Sequence, residues 1–268
     1  MAKKKRQPNR CRICGKLEVL TEEHILPRAA GGNREAKIYS GTEMLKTLKA
    51  NNINRPYGKI RQNGHTEFTL CASCNNHSGL VYDKDFADFY NAFGQQVLKI
   101  ALENNIQDTK SLSEFLLNKS IVMTLEGVKP MNIAKRVLVA FCSIEFEGLT
   151  ERNQEIRKAI IDKNYVPDIS GFSLYMTPHV GNESYYARMA SILETKSGTL
   201  VSQAFAGIET GYTAFYLADH DEHTKGGSLS GCIDITNWLV ECSYDQKATI
   251  EIHGTFKKPL MIDFPTPE

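Results

Sequence analysis

The feature that most constrains this chain is a pair of Cys-x-x-Cys turns far apart in the sequence, Cys11-Arg-Ile-Cys14 and Cys71-Ala-Ser-Cys74. Each turn presents two thiolates to one ion, and two such turns complete a tetrahedral four-cysteine site of the kind zinc occupies. Residues 11–79 are rich in Cys, Gly, Asn and basic residues and poor in apolar runs. They cannot build much of a core by themselves, and a metal staple is the usual remedy for so small a module. The opposite reading, two redox pairs, needs a βαβ setting that neither turn has. Of the seven cysteines, the other three, Cys142, Cys232 and Cys242, sit in apolar stretches and read as buried small hydrophobes. An odd count with paired turns points to thiolate ligation in a reducing compartment, hence a cytoplasmic protein, rather than to disulfides.

From Leu80 the pattern changes. Phe86, Phe89, Tyr90, Phe93, Val97, Ile100 and Ala101 recur at steps of three and four and predict an amphipathic helix. Further helices are expected over Asn132–Phe146 and Glu151–Lys163. Beyond Gly171 the signal turns to strands, at Phe172–Met176, Tyr185–Leu193, Leu200–Ala206, Thr213–Leu217, Trp238–Cys242 and Thr249–Phe256. Helices followed by a run of strands imply an α+β fold with a mostly antiparallel sheet. The expected organisation is a basic arm (1–10), a zinc-stapled module with a basic insertion (11–79), and an α+β recognition or regulatory domain (80–268) folding around its own core. No apolar run is long enough for a membrane span, and no apolar segment follows the basic N-terminus as a secretory signal requires.

The net charge of +1 hides an asymmetry: residues 1–70 carry 15 Lys and Arg against 6 acids, and the rest of the chain 17 against 25. A basic front on an acidic body suits a polyanion-binding head joined to a different kind of partner-binding unit. A basic stretch is also a common solvated tail. The insertion between Gly32 and Asn63 carries Lys37, Lys46, Lys49, Arg55, Lys59 and Arg61 against Glu35 and Glu43. It reads as a phosphate-contacting element or as a plain solvated insertion.

Between the two cysteine turns lies Glu22-Glu23-His24-Ile25-Leu26-Pro27, then Gly31-Gly32, and the second turn runs straight into Asn75-Asn76. The segments CRICG, EEHILP, the Gly-Gly turn and LCASCNN together resemble the HNH, or ββα-metal, endonucleases, above all a bacterial branch reading CxxCG, EHxxP and CxxCN. They are also similar to phage junction-resolving endonucleases, in which an acidic residue beside a histidine and an Asn after the last zinc cysteine form the site. The resemblance spans roughly residues 10–90. It implies a structural Zn²⁺ on Cys11, Cys14, Cys71 and Cys74, a catalytic Mg²⁺ or Mn²⁺ on Glu23 and Asn75, and DNA as substrate in restriction or phage defence. It also implies in-line attack of water on phosphorus and a 5′-phosphate product.

The chemistry accounts for these residue types. Phosphodiester hydrolysis needs an activated water and a way to neutralise charge on the phosphate and the leaving oxygen, and a divalent ion supplies the second. A histidine, with an ordinary pKa of roughly 6.5, supplies the base, which assigns His24 as general base. A carboxylate suits Mg²⁺ or Mn²⁺, and the amide oxygen of Asn75 takes a further position. Adjacent residues of a strand point to opposite faces, so a bend is expected at Glu23–His24.

Some residues depart from the pattern. The middle Asn of an HNH motif, which orients the histidine, has no clean counterpart in Asn63-Gly64-His65-Thr66-Glu67-Phe68; Asn63 and His65 are the candidates to stand in. Glu22 is a further ligand or a flanking charge, and His77 falls on another helix face than Asn75. His220-Asp221-Glu222-His223 resembles a metal cluster by composition but lies in a polar link, and His179 and His253 have no partner visible in the sequence. Two alternatives stay open: a nuclease subunit silent until a regulatory protein, a small ligand or a second copy engages residues 80–268, and a zinc-organised nucleic-acid-binding protein without catalysis.

Overall fold

A computed structural model describes residues 6–38, 59–117, 119–144, 148–180, 185–196, 199–219 and 232–256. For residues 36–38, 59, 185–196, 199–205 and 219 the description is of the backbone alone. Lys46, Lys49, Arg55 and the His220–His223 cluster lie outside the described residues, as do the side chains of Lys37 and Lys59.

The first segment makes a short antiparallel pair, β1 (Asn9–Arg10) and β2 (Leu17–Glu18), around the first cysteine turn. β3 (Leu20–His24) comes next. A second short pair follows, β4 (Ala36–Ile38) with β5 (Lys59–Arg61). β6 (Thr66–Cys71) pairs antiparallel with β3 and leads directly into α1 (Ala72–Val81), so that strand, strand and helix form one unit.

α2 (Asp83–Glu103) has Asp83 and Asp85 in its first turn, where acids oppose the helix dipole, and buries Phe86, Phe89, Tyr90, Phe93, Val97 and Ala101 along one stripe. α3 (Thr109–Leu116) is capped by Asp108, which accepts from the Ser111 amide. β7 (Ser120–Val128), which the sequence reading left unassigned, pairs with the distant β13 (Ala248–Thr255). α4 (Pro130–Ile144) starts on a proline, as first helical positions favour, and is buried along its whole length. The expected helix at 151–163 splits at Asn153 into α5 (Leu149–Arg152) and α6 (Gln154–Ile161), because the Asn153 side chain caps the second piece at the Glu155 and Ile156 amides.

The sheet is five-stranded and antiparallel throughout. It comprises β8 (Phe172–Pro178), β9 (Tyr185–Lys196), β10 (Thr199–Glu209), β11 (Thr213–Asp219) and β12 (Ile233–Asp234), in the order β12-β8-β11-β10-β9. This mixed helix and sheet architecture is consistent with the α+β class. Trp238–Cys242, expected as a strand, is a 3-10 turn over Thr236–Leu239. Its Trp238 ring meets Phe89 edge-on with centroids 6.1 Å apart, so the apolar residues serve a helix contact instead of a strand face. Among the described residues no helix is long and apolar enough to cross a membrane.

One hydrophobic core runs through the chain. Ile13, Leu20, Ile25 and Leu70 of the cysteine module belong to the same buried cluster as Phe86, Phe89, Val137, Phe141, Ile156, Phe172 and Phe215. The buried cluster therefore continues across Leu80, where the composition changes. The module has little apolar content of its own and shares the buried cluster with α2, α4 and α6; Asn91 of α2, for example, donates to the Ala29 carbonyl at 3.1 Å.

Candidate metal centre and cleft

Cys11, Cys14, Cys71 and Cys74 come together with all four sulfurs within 4.8 Å of one another. The first turn closes through the Gly15 amide to the Cys11 carbonyl, 2.8 Å, and lies against β6 through the Arg12 amide to the Thr69 carbonyl, 3.0 Å. The second turn straddles the start of α1, with Cys71 at its cap position. A hydrogen bond from Cys74 pulls the Cys11 thiol well down, and the same bond together with burial pushes Cys74 up. Four thiols this close share protons poorly and suit a cation, and the all-sulfur set fits zinc. α4 and α6 hold the cluster from behind: Arg12 Nη1 donates to the Ser143 carbonyl at 2.9 Å, and Arg157 Nη2 to the Cys14 carbonyl at 2.8 Å.

Beside it opens a cleft of about 540 Å³ lined by Glu22, Glu23, His24, Arg28, Asn75, Asp83, Asn91 and Arg136, among others. The β3–β6 ladder slips between Thr21 and Glu23, which lets consecutive residues reach one cleft where a regular strand would send them to opposite faces. His24 is half-buried, and its Nδ1 lies 3.0 Å from the Gly32 carbonyl oxygen. A carbonyl only accepts, so Nδ1 is the donor in this bond and Nε2 is the ring's other nitrogen.

The group bonded to the His24 ring is thus the Gly32 carbonyl, and neither Asn63 nor His65, the sequence candidates for that contact, makes it. Asn63 sits in an exposed turn, and the His65 ring is turned to Glu67, with Nε2 to Oε1 at 2.9 Å. Pro27 to Gly31 form a tight turn, and the Gly32 amide closes it onto the Pro27 carbonyl at 3.0 Å. A Cβ on Gly32 would stand 1.9 Å from the Leu26 carbonyl oxygen; one on Gly64, at φ +79°, would stand 1.8 Å from the Gly32 oxygen. Both positions therefore require glycine.

Glu23 is buried at the base of the cleft, 6% exposed. The Thr69 and Ser143 hydroxyls both donate to its Oε1, the latter at 2.7 Å. Burial pushes its carboxyl up to about 7, against the partial relief of those hydroxyls and of Arg136. Asn75, in the first turn of α1, donates through Nδ2 to Thr21 Oγ1 at 3.0 Å and to the Glu22 carbonyl at 3.2 Å. The amide is thereby oriented with Oδ1 as its remaining acceptor. Carboxylate and amide oxygens are hard donors of the kind Mg²⁺ and Mn²⁺ take. Glu22 is exposed and accepts from Thr66 Oγ1 at 3.0 Å, while His77 packs edge-on to Tyr82 and takes no part in the cleft.

Arg136 and Ser143 were missed from the sequence, as were Thr69 and Thr21. The available signal was chemical: Asn132, Lys135, Arg136 and Ser143 interrupt a helix that is otherwise apolar on all sides, and buried polar groups need partners. Of the basic insertion, Arg61 is exposed on β5. A smaller cavity of about 230 Å³, lined by Gly31, Gly32, Arg34, Tyr90 and Tyr212, lies behind the turn that carries the Gly32 carbonyl. No protein family, curated protein or solved structure matches this chain.

Proposed function

We propose that this protein is a metal-dependent DNA endonuclease of the HNH, or ββα-metal, type. The observation that carries the reading is His24, held at Nδ1 by the Gly32 carbonyl on a strand–strand–helix unit, in a cleft that Glu23 and Asn75 also line. A binding module has no need of a histidine held in this way beside an acid.

His24 takes the proton of the attacking water at Nε2, since Nδ1 is committed to Gly32. Glu23 offers Oε2, its Oε1 being occupied by two hydroxyls, and Asn75 offers Oδ1; these residues would hold Mg²⁺ or Mn²⁺. When bound, such an ion neutralises charge on the phosphate and the leaving oxygen. Arg28, exposed at the cleft rim, is placed to meet a phosphate, and the basic balance of residues 1–70 favours a nucleic-acid backbone. The four cysteines, as a closed set of ligands around Zn²⁺, would fix the β1–β2 turn against the start of α1 and leave the chemistry to the cleft. The acidic remainder of the chain is assigned to substrate choice or regulation.

The test is nicking of supercoiled plasmid by the full-length chain with Mg²⁺ or Mn²⁺, set against His24→Ala. The variant is expected to keep zinc and fold and to lose activity by about 10²–10⁴-fold. DNA binding without metal-dependent nicking in the wild-type protein would overturn the reading of a self-sufficient nuclease and leave the non-catalytic and the partner-activated alternatives.

A further inference from the structure

Helix α4 lies outside the HNH-like segment, yet two of its side chains enter the cleft's construction. Arg136 and Ser143 are seven residues apart, about two turns, so both project from one face. That face lies against β3. Arg136 is 5% exposed; its Nε meets Asp83 Oδ1 at 2.5 Å, and its Nη2 donates to the carbonyls of His24, 3.3 Å, and Ile25, 3.1 Å. Ser143 Oγ donates to Glu23 Oε1 at 2.7 Å.

From this geometry we infer that Ser143 and Arg136 are positioning residues of the cleft, so that the site is complete only when α4 is docked on β3. The inference rests on Glu23 serving as a cation ligand. A carboxylate on a flexible side chain can rotate either oxygen outward. Two hydroxyl donors on the same oxygen, Thr69 from β6 and Ser143 from α4, remove that freedom and leave Oε2 for the ion. Hydrogen bonds to a charged acceptor are stronger than those to a neutral one, so when Glu23 is ionised, as a cation ligand must be, the Ser143 proton favours it over its other acceptor, the Val139 carbonyl at 3.1 Å. Arg136 does the corresponding work on the backbone. Its planar fork ties the end of β3 to Asp83 at the start of α2, which a lysine's single nitrogen cannot reproduce.

The experiment is calorimetric titration of Mn²⁺ alone into the zinc-loaded, full-length chain, comparing wild type with Glu23→Gln, Ser143→Ala and Ser143→Thr. Groups that orient metal ligands typically change affinity by about 10–100-fold when removed. Ser143→Ala is therefore expected to weaken Mn²⁺ binding by about tenfold or more at unchanged zinc content and melting temperature. Ser143→Thr, which keeps the hydroxyl, is expected to stay near wild type. Ser143→Ala binding as tightly as wild type overturns the inference. So does equal weakening in the Ala and Thr variants with a lowered melting temperature, since packing would then be the cause. Equal Mn²⁺ affinity in wild type and Glu23→Gln is a different failure: it removes the cation from Glu23 and overturns the inference, while the nuclease reading is tested separately by nicking against His24→Ala.

Discussion

The four-cysteine cluster and the cleft meet on α1, which carries Cys74 and Asn75, but they are assembled in opposite ways. The cluster uses one residue type from two short turns, and its four sulfurs face one another within 4.8 Å. The cleft uses a histidine, a carboxylate, an amide and a backbone carbonyl, and it borrows Ser143 from a helix 120 residues further along. A closed set of like ligands suits a structural ion, whereas a set that leaves Nε2 and two oxygens unspent suits chemistry. The difference teaches that a cluster of like ligands is written locally, while the orientation of the cleft's side chains depends on contacts from across the fold.

The largest effect should come from breaking the staple. Cys71→Ser, or prolonged chelation, is expected to remove about one zinc per chain and to unfold the module, because structural zinc binding is folding energy, on the order of 10 kcal/mol in small zinc domains. Since the module and the rest of the chain share one core, the loss should lower the melting temperature of the entire molecule in a single transition. Elemental analysis and calorimetry read both. A zinc-free protein with unchanged melting would mean that the cluster is not the staple. His24→Ala, acting on the cleft alone, should leave this transition where it is.

A smaller effect tests the sheet, which contributes to neither site. His179 follows β8, is 3% exposed, and burial without compensation holds its ring down at about 4. Its Nε2 has no hydrogen-bond partner. The folded pKa lies below the unfolded value of 6.5, so the unfolded chain binds the proton first. The stability is present above pH 6.5 and is lost as the pH falls toward 4, by on the order of 3 kcal/mol at about 1.4 kcal/mol per unit. Acid also protonates zinc thiolates, so the informative quantity is the difference between wild type and His179→Gln. The variant should flatten the stability loss between pH 6.5 and 4 in denaturant titrations. Identical curves would show that His179 titrates freely and is not buried as described.

These contrasts follow what the sequence made legible. The cysteine spacing located the cluster, and the three- and four-residue steps from Phe86 to Ala101 located α2, because both signals are local. Glu23, His24 and Asn75 were singled out by type, and the fold brings all three to the lining of one cleft. The group orienting His24 could not be found by type, because it is a backbone carbonyl that any residue carries; only Gly32 and Gly64 hint at it, by the space they leave. Ser143 was illegible for another reason. Its meaning depends on α4 docking against β3, a contact that no periodicity encodes. The shared core was hidden likewise: a charge balance that changes sign near residue 70 suggested two domains, but charge sits on surfaces and says nothing of what packs beneath them.

The smallest effect, and the one that tests the contrast most directly, is expected from Gly64→Ala. A Cβ at Gly64 meets the Gly32 carbonyl oxygen at 1.8 Å, so that carbonyl must move, and with it the acceptor for His24 Nδ1. The substitution also places an alanine at φ +79°, a strain of roughly 1–2 kcal/mol in stability. Gly127→Ala separates the two consequences. It sits at φ +67° with nothing within 4 Å of the added Cβ, so it carries similar strain without the displacement. Misplacing a reacting group by about 1 Å costs up to about 100-fold in rate. Gly64→Ala should therefore lower kcat by about 10- to 100-fold at full zinc occupancy, with little change in substrate affinity, while Gly127→Ala keeps kcat near wild type. Equal kcat values for the two variants would mean that the ring of His24 is held by something other than Gly32. The opposite imbalance, zinc lost from Gly64→Ala with kcat per zinc-loaded molecule intact, would show that the turn serves the staple and that the two sites are less separate than their ligands make them.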